Sequence, residues 1–435
     1  MTDIDRRLML GLAGVAGAAL ATRVAQAGSL NPPPGPVTPT GKTTDQIEPR
    51  IDLLNAPASA NVTSDADNHY IISNPGSYYL SANLAVTKTT GIKIAASGVT
   101  LDLCGFQVFR SVGLTGIGIS TVGQAFLAAI GNGSFAGFSH GIDCGGDSVR
   151  LHGLRATGCS VGFYVGSAAT TGATVESCQA YGNSNAGFIC GPNAVFVNCI
   201  ATSNGGGGFF APYGGCHFSN CNALANTGNG FEAETGSTLL DCTASGNEDW
   251  GFLVGDACLL RSCLAHGNSG TGALSGGFSL SGSAAYDCVA EANSTTVTVT
   301  KTTGVGFRGD ASDGTLIEGC SARLNTGDGF TIATGSTVSR CHAYNNGFAG
   351  VRATGSNNII ANNEAISNGA SGIAVDGALS LVYGNCVRGG GVGVNYAIVT
   401  GNRVGTIVVP ATAGAISGNT GGTAFTTDPY ANIAF

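Results

Sequence analysis

The sequence contains few charged residues and no concentrated basic region. Only 10% of its 435 residues are charged, and the formal net charge is −8. The 18 Lys and Arg residues form no patch interleaved with aromatic residues, so we expect no nucleic-acid partner. Beyond the amino end, no segment reaches the ~18 uninterrupted apolar residues of a transmembrane helix. We therefore expect no membrane span in the mature chain.

Helical periodicity is missing as well. After residue 47 no segment keeps apolar residues at a spacing of 3.6, and apolar runs are only a few residues long. Gly is abundant, with 71 residues, but it follows no Gly-X-Y period, which excludes collagen. Short apolar runs separated by Gly, Asn and Ser indicate short β-strands joined by tight turns.

What the chain does have is an internal repeat. The frame Cys-x-Ala-x-x-Asn recurs, most often after 21 or 22 residues, and it degrades to Asn-x-Ala-x-x-Asn at Asn363. The frame begins at Cys178, Cys199, Cys221, Cys242, Cys263, Cys288, Cys320 and Cys341. A repeat of this length predicts stacked coils, each with three short strands that pair in parallel with the next coil. About fifteen such coils fit between residues 85 and 425.

The frame also predicts which side chains point inward. We expect Cys and Ala, together with the Phe or aliphatic residue that follows Gly, to fill the core. The Asn is expected at a sharp corner with a left-handed backbone, its amide bonded to the Asn of the next coil. The spacing is too long for a Cys-x-x-Cys metal site, so we predict no metal and no cofactor. Disulfides between adjacent coils remain a geometric alternative to stacked thiols.

The amino end predicts export. Residues 1–27 combine Arg6-Arg7, a Gly- and Ala-rich apolar run and Ala25-Gln26-Ala27, which is typical of a twin-arginine (Tat-like) signal peptide. We therefore expect a periplasmic, cell-surface or extracellular protein. A Pro- and Thr-rich linker is predicted at 28–47, an N-terminal cap at 48–84, the β-helix at 85–425 and a C-terminal cap segment at 426–435.

Three early segments carry a resemblance to a known family. Pro-Gly-Ser-Tyr-Tyr-Leu at 75–80, Gly-Ile-Lys-Ile at 91–94 and Val-Thr-Leu-Asp-Leu-Cys-Gly-Phe at 99–106 resemble the opening of secreted right-handed parallel β-helix repeat proteins, a pectate-lyase-like superfamily. The resemblance covers residues 48–435 and implies an all-β, single-stranded right-handed parallel β-helix. Members often have Asn where this chain has Cys104. The paired aspartates of polygalacturonases and the calcium cluster of pectate lyases are not matched, so no catalytic residues are carried over.

The repeat places a candidate catalytic set on one outer face. His266, Glu291 and Arg323 each lie three residues after a Cys of the frame, so they should fall on neighbouring coils. Tyr344 continues this row and His342 lies beside it, which makes both candidate substrate-binding residues. An acid, a base and a cation in reach of one another suit uronate lyases or glycosidases. The alternative is an ordinary mixed row on a solvated sheet. The longest insertions, 269–276 and 294–304, flank the coils of His266 and Glu291.

Two further groups are candidates for a site. The only Trp, Trp250, would stack on a sugar if exposed beside Glu248 and Asp249, but a packing role at a corner is the alternative. A second polar cluster falls within sixteen residues. It consists of His140, Asp143, Asp147, His152 and Arg155.

Two functions remain open on the sequence alone. The first is a monomeric structural or polysaccharide-binding module, favoured by the low charge and by the missing catalytic motifs. The second is a polysaccharide lyase, hydrolase or epimerase that acts on an acidic glycan at His266, Glu291 and Arg323. A groove walled by the two insertions would favour the enzyme, whereas a flat polar wall would favour the binding module.

Overall fold

The computed structural model describes residues 50–57, 60–111, 113–121, 127–145, 148–166, 172–270, 275–296, 300–310, 314–389, 394–408 and 428–434. The predicted signal peptide and linker lie outside these residues, so they stay predictions, as do the predicted domain boundaries. Apart from a single 3-10 turn at Leu53–Asn55, the regular secondary structure of the described residues consists of short β-strands, which are joined by turns and bends. None of these residues belongs to a helix long and apolar enough to cross a membrane.

Each coil contributes strands to three faces, which are numbered in the order in which the chain passes through them. Among the described residues, the third face is a sheet of 16 strands. All of its strands pair in parallel except the first, which is antiparallel to the second. In chain order they are Val62–Thr63, Asn68–Ile72, Thr90–Ile94, Ile117–Thr121, His140–Cys144, Val161–Val165, Phe188–Cys190, Phe209–Ala211, Phe231–Ala233, Phe252–Val254, Gly276–Leu280, Val305–Gly309, Phe330–Ile332, Val351–Ala353, Ile373–Val375 and Tyr396–Ile398. One parallel strand per coil confirms the predicted number of about fifteen coils.

The first face precedes the second face in each coil, and one sharp corner separates them. First-face strands are Ile51–Asp52, Gly76–Tyr79, Val99–Asp102, Thr174–Glu176, Val195–Val197, His217–Ser219, Thr238–Leu240, Leu259–Arg261, Ala284–Tyr286, Leu316–Glu318, Thr337–Ser339, Ile359–Ala361, Leu381–Tyr383 and Arg403–Val404. Second-face strands are Leu84–Ala85, Gln107–Phe109, Gln179–Tyr181, Ile200–Thr202, Asn222–Leu224, Thr243–Ser245, Leu264–His266, Val289–Glu291, Ser321–Arg323, His342–Tyr344, Glu364–Ile366, Cys386–Arg388, Ile407–Val408 and Asn432–Ala434. Ala129–Ala136 and Arg150–Thr157 run through both faces.

The core is built from columns of identical side chains. Successive Phe rings of the third face stack with centroids 4.5–5.0 Å apart and interplanar angles of 2–11°. The rings belong to Phe163, Phe188, Phe209, Phe231, Phe252, Phe278, Phe307 and Phe330, and each is almost completely buried. Because parallel strands repeat at ~4.8 Å, identical residues in register bring flat rings to stacking distance. The predicted inward position of these residues is confirmed.

The repeated cysteines form a second column at the corner between the first and second faces. Cys159 and the eight frame cysteines from Cys178 to Cys341 are at most 2% exposed, which confirms the core position predicted for the frame. Each thiol donates to the carbonyl two residues earlier in its own coil, as in Cys199 to Val197 at 3.4 Å. After Cys341 the column continues as Asn363 and Asn385, whose oxygens accept from the backbone N–H of the preceding coil. Cys and Asn are therefore alternatives at this corner.

The frame asparagines form a buried ladder at the corner between the second and third faces. Each side-chain amide donates to the Oδ1 of the next Asn at 2.8–3.0 Å, from Asn183 through to Asn368. The same Oδ1 accepts the backbone N–H of the preceding Asn, as in Asn226 to Asn247 at 3.1 Å. The predicted bonding between coils is confirmed, and it satisfies these polar groups inside the core.

The backbone prediction for these asparagines is wrong. The left-handed residue is the one before each Asn, with φ between 52° and 65°. These residues are Gly182, Ser203, Ala225, Gly246, Gly267, Ala292, Leu324, Asn345 and Ser367. The physical reason is that the turn completed one residue earlier directs the Asn side chain into the core, where it can reach the next coil. Several residue types accept this conformation because the ladder stabilises the corner.

Candidate functional site

The predicted catalytic residues do share one outer row of the second face. His266 is in register with Glu291, Glu291 with Arg323, and Arg323 with Tyr344. Arg323 Nη2 contacts Glu291 Oε2 at 3.0 Å. His266 Nδ1 lies 3.4 Å from the hydroxyl of Ser245. The prediction of neighbouring coils is therefore confirmed, although the catalytic role itself stays a prediction.

Of the two candidate substrate-binding residues of this face, Tyr344 continues that row and His342 lies beside it. The rings of His342 and Tyr344 are nearly parallel, with centroids 6.2 Å apart. His342 Nε2 lies 3.6 Å from Glu364 Oε2 on the next coil. Tyr344 is 42% exposed. This part of the second face is an open sheet with polar and aromatic groups.

The described parts of the two insertions lie on the side of the third face. Ser269–Gly270 and Ser294–Thr295 pair as a small parallel sheet at the corner between the second and third faces. Beyond them, the carbonyl of Lys301 accepts from the N–H of Asp328, and Lys301 Nζ lies 4.0 Å from Asp376 Oδ2. Residues 271–274 and 297–299 lie outside the described residues. The contacts that are described thus connect the second insertion to the third face rather than to His266.

Trp250 is not available as an exposed sugar platform. Only 5% of it is exposed, because its ring packs at the corner above Gly276, where an added Cβ would lie 2.8 Å from the ring. Its backbone N–H donates to Asn229 Oδ1 at 3.1 Å. A substrate-binding role requires an exposed Trp250, so that expectation is wrong. The packing alternative describes the position of Trp250.

The second predicted cluster is divided between faces. His140 and Asp143 lie on the third face, where the ring of His140 meets Tyr164 edge-on at 5.7 Å. Burial raises the pKa of Asp143. In contrast, His152 and Arg155 lie on the strand that runs through the first and second faces. Asp147 lies outside the described residues. The described members therefore do not meet in one site.

Arg155 instead lines a cleft of about 500 Å³ on the second face. Its Nε donates to Gln179 Oε1 at 3.2 Å. Tyr181, two residues further along the Gln179 strand, is 56% exposed. Thr157 and Thr202 contribute to the lining from the coils before and after. We name the group Arg155, Thr157, Gln179, Tyr181 and Thr202 the second-face cleft.

A group of charged residues that the sequence analysis missed lies on the third face. Asp328 is completely buried, yet its carboxylate receives hydrogen bonds from the N–H of Ala349 at 2.7 Å and from the Thr331 hydroxyl at 3.2 Å. Arg352 Nε donates to the same carboxylate at 2.7 Å, while its Nη1 donates to Asp376 at 3.2 Å. Burial raises the pKa of Asp328, against the opposing charge of Arg352.

A second pair extends this group along the coils. Arg308 is in register with Thr331, and Thr331 with Arg352, so the two arginines lie two coils apart in one outward row. Arg308 Nε contacts Asp310 Oδ1 at 2.7 Å, and Ser279 donates to Asp310 Oδ2. We name Lys301, Arg308, Asp310, Asp328, Arg352 and Asp376 the third-face charge network. Reading the position after each core Phe or Val would have found both arginines, because that position points outward.

Neither group brings a set of metal ligands together. In the part of the chain that the structure describes, no three His, Cys, Asp or Glu side chains are grouped so as to hold a metal ion. The second-face cleft offers hydroxyl, amide, guanidinium and aromatic groups. The third-face charge network offers carboxylates paired with cationic side chains. One of these carboxylates is shielded from water.

Comparisons with solved structures found distant likenesses. The A-module of mannuronan C-5 epimerase AlgE4 from Azotobacter vinelandii is 13% identical, with 76% of this chain and 88% of that chain covered and a TM-score of 0.32. DFA-IIIase from Arthrobacter chlorophenolicus A6 is 11% identical, with 56% and 73% covered and a TM-score of 0.42. Tailspike protein 3 of bacteriophage CBA120 is 10% identical, with 96% and 72% covered and a TM-score of 0.41. At these identities and TM-scores no function is carried over.

The family comparison is more informative. A comparison with curated proteins gave no match. The family described as "right handed beta helix region" matches residues 140–285 and 275–409. These segments contain the Phe stack, the Cys column and the Asn ladder. Since they make up more than half of the chain, the protein belongs to the right-handed β-helix family.

Proposed function

We propose that this protein is an exported polysaccharide-binding module, with the second-face cleft as its binding site. The observation that carries the proposal is the cleft itself, where Arg155, Gln179 and Tyr181 converge on about 500 Å³. That volume lies within the usual range of ligand sites, ~300–1,000 Å³. An exposed aromatic ring can pack on the apolar face of a pyranose. Guanidinium and amide groups can bond to its hydroxyls.

The arrangement of the face suits a polymer rather than a small free sugar. Outward residues in register repeat at ~4.8 Å along the axis, so an extended chain meets one position per coil. From Tyr181 the row continues through Thr202 to His266 on the same face. His342 and Tyr344 follow on later coils and offer a second aromatic contact. Export, which the Arg6-Arg7 segment favours, would bring this face into contact with surface or extracellular glycans.

Affinity electrophoresis in gels that contain single polysaccharides tests the proposal. The panel includes neutral glucans and uronate polymers. We expect at least one polymer to retard the protein, and Tyr181→Ala to weaken that retardation at least tenfold. Tyr213→Ala is the matched control, because Tyr213 is a similarly exposed tyrosine, 45% against 56%, that is not part of the cleft. Unchanged mobility in every gel, or full retardation of Tyr181→Ala, would overturn the proposal.

A second candidate function is a lyase, hydrolase or epimerase that acts on an acidic glycan, and it is favoured by the third-face charge network. Arg352 bonds both to buried Asp328 and to half-exposed Asp376, so two carboxyl groups in different environments lie around one guanidinium. Burial raises the pKa of Asp328, and a raised carboxyl pKa is what a general acid requires. Lys301, from the second insertion, adds a cation at the outer end.

This second function has its own experiment. The protein is incubated with uronate polymers while the ultraviolet absorbance of unsaturated products and the release of reducing ends are followed. We expect Asp328→Asn to abolish any turnover, whereas Asp241→Asn, at an exposed first-face corner, leaves it intact. Loss of turnover in His266→Ala or Arg323→Ala, with Asp328→Asn active, would place the chemistry on the second face. Inert polymers throughout would eliminate the enzyme.

A further inference from the structure

Cys190 and Cys216 are two of the six cysteines that lie outside the cysteine column. Cys190 ends a third-face strand, and Cys216 precedes a first-face strand. Their sulfur atoms lie 3.7 Å apart, although the residues are separated by 26 positions in the chain. Both side chains are buried, with 2% and 1% exposed. The two sulfurs therefore face each other across the corner between the third and first faces.

The partners of these thiols differ from those in the column. A column cysteine such as Cys242 donates to the carbonyl two residues before it, at 3.3 Å. The sulfur of Cys190 has the sulfur of Cys216 as its described partner. Cys216 also contacts the carbonyl oxygens of Gly191 and Gly214 at 3.4 and 3.6 Å. Cys190 thus gives up little hydrogen bonding if its sulfur moves.

Geometry separates the two kinds of pair as well. In-register side chains of a parallel stack point the same way, so the Cβ atoms of column neighbours stay near the ~4.8 Å strand spacing. A disulfide needs Cβ atoms ~3.5–4.5 Å apart and a sulfur–sulfur bond of ~2.05 Å. Cys190 and Cys216 lie on two different faces. A movement of less than about 2 Å would bring their sulfur atoms to bonding distance.

We propose that Cys190 and Cys216 are a disulfide-forming pair within an otherwise reduced core. The hydrogen bond from the Cys190 thiol lowers the pKa of Cys216, as neighbouring thiols lower the pKa of column cysteines such as Cys221, so the assignment of the pair depends on the sulfur–sulfur distance of 3.7 Å. With a diazene oxidant such as diamide, the Cys216 thiolate adds to the N=N bond, and the Cys190 sulfur then displaces the nitrogen to form the S–S bond. The two thiols lose two electrons and two protons, and the diazene becomes the hydrazine.

The bond would connect two successive coils. It would close a loop of about one coil, which restricts the unfolded chain more than the folded one. The proposal does not depend on polysaccharide binding. It would make the thermal stability of these coils depend on the redox state of the compartment.

Diamide treatment of the folded full-length protein tests the pair. The background variant Cys104→Ser removes the exposed thiol that would otherwise join two molecules. We expect the loss of two thiols per chain, a linked peptide that contains Cys190 and Cys216 by mass spectrometry under non-reducing conditions, and a higher Tm that returns to its starting value with dithiothreitol. Cys199→Ser, from the column, should keep the linkage, and Cys190→Ser should lose it.

Two results would overturn the proposal. For the first, diamide is also present while the protein is briefly and partly unfolded and then refolded, so that burial no longer keeps the oxidant from the thiols. A protein that still keeps every buried thiol after this treatment would contradict the pair. The other is a linked peptide that joins two column cysteines instead. If Cys190→Ser fails to fold, Cys216→Ala serves as the second variant, since Ala occupies the same position one coil earlier, at Ala194.

Discussion

Asn226 donates its side-chain amide to Asn247 on the next coil at 2.9 Å, while its backbone N–H donates to the same oxygen at 3.1 Å. One side chain thus satisfies two buried donors of its neighbour. Repeated from coil to coil, this relationship makes each Asn both an acceptor for the coil before and a donor to the coil after. The corner between the second and third faces is therefore stabilised along the molecule rather than within each coil.

We expect Asn247→Ala to destabilise the protein by about 3 kcal/mol, since it leaves two buried donors of Asn226 without an acceptor. Urea unfolding followed by circular dichroism measures the change. The control is Asn222→Ala, an outward residue of the second face, which should cost less than about 0.5 kcal/mol. Equal effects of the two substitutions would contradict the importance of the ladder.

The glycine before each core Phe is required because of space. A Cβ at Gly230 would lie 2.6 Å from the carbonyl oxygen of Gly251 and 2.8 Å from the side-chain nitrogen of Asn247. We expect Gly230→Ala to cost at least about 2 kcal/mol in urea unfolding, because backbone atoms must move. Gly207→Ala, whose Cβ meets its nearest atom only at 3.4 Å, should be tolerated. Equal tolerance at both sites would be inconsistent with close coil packing.

The end of the cysteine column predicts a neutral or stabilising substitution. The backbone N–H of Cys341 already donates to Asn363 Oδ1 at 2.9 Å, and Asn363 donates to Asn385 at 3.0 Å. Cys341→Asn extends this amide column by one coil, so we expect a Tm no lower than that of the wild type. Cys199→Asn has a cysteine on both neighbouring coils and should lower the Tm. The reverse order, measured by calorimetry, would contradict the equivalence of the two columns.

Asp328 predicts a pH dependence with a defined sign. Burial raises its folded pKa above the model-compound value of 3.8, so the folded state binds the proton more tightly than the unfolded state. Its contribution to stability is therefore largest at acidic pH and falls as pH rises from about 3.8 through the folded pKa. Asp328→Asn should remove this slope from the unfolding free energy. An unchanged slope, or one of opposite sign, would argue against a raised pKa.

The charged row of the second face should matter little for stability. The side chains of Arg323 and Glu291 are 47% and 25% exposed, and ion pairs of this kind contribute about 0–1 kcal/mol. We expect the double variant His266→Ala and Arg323→Ala to unfold within about 1 kcal/mol of the wild type. A larger loss would mean that this row is part of the structure rather than a free surface. The same variant can then serve in the binding and turnover assays without a folding artefact.

Much of the fold could be predicted from the repeat. The burial of Cys199, the stacking of Phe209 and the bonding of Asn204 all follow from residues that recur once per coil. The register of His266, Glu291 and Arg323 follows from the same count. The left-handed position could not be predicted, because Ser203, Ala225 and Leu324 share no side-chain chemistry. Only the backbone path specifies it.

The candidate sites were less predictable for a physical reason. Arg155, Gln179 and Tyr181 come from two strands, so their convergence depends on side-chain directions that no spacing encodes. Asp328 and Arg352 lie 24 residues apart, which is about the length of one coil. They meet only because successive coils stack on one another. The direction in which the second insertion folds also depends on tertiary contacts such as that of Lys301 with Asp376.

The sequence by itself determined the architecture of this protein, because a core of repeated columns is specified by residues that recur with a fixed period. The tertiary structure alone decided that Arg155 and Tyr181 line one cleft, that Asp328 meets Arg352, that Trp250 is buried, and that the sulfurs of Cys190 and Cys216 lie across one corner. Those contacts join residues without a common period, so they depend on the path of the turns and loops between the coils.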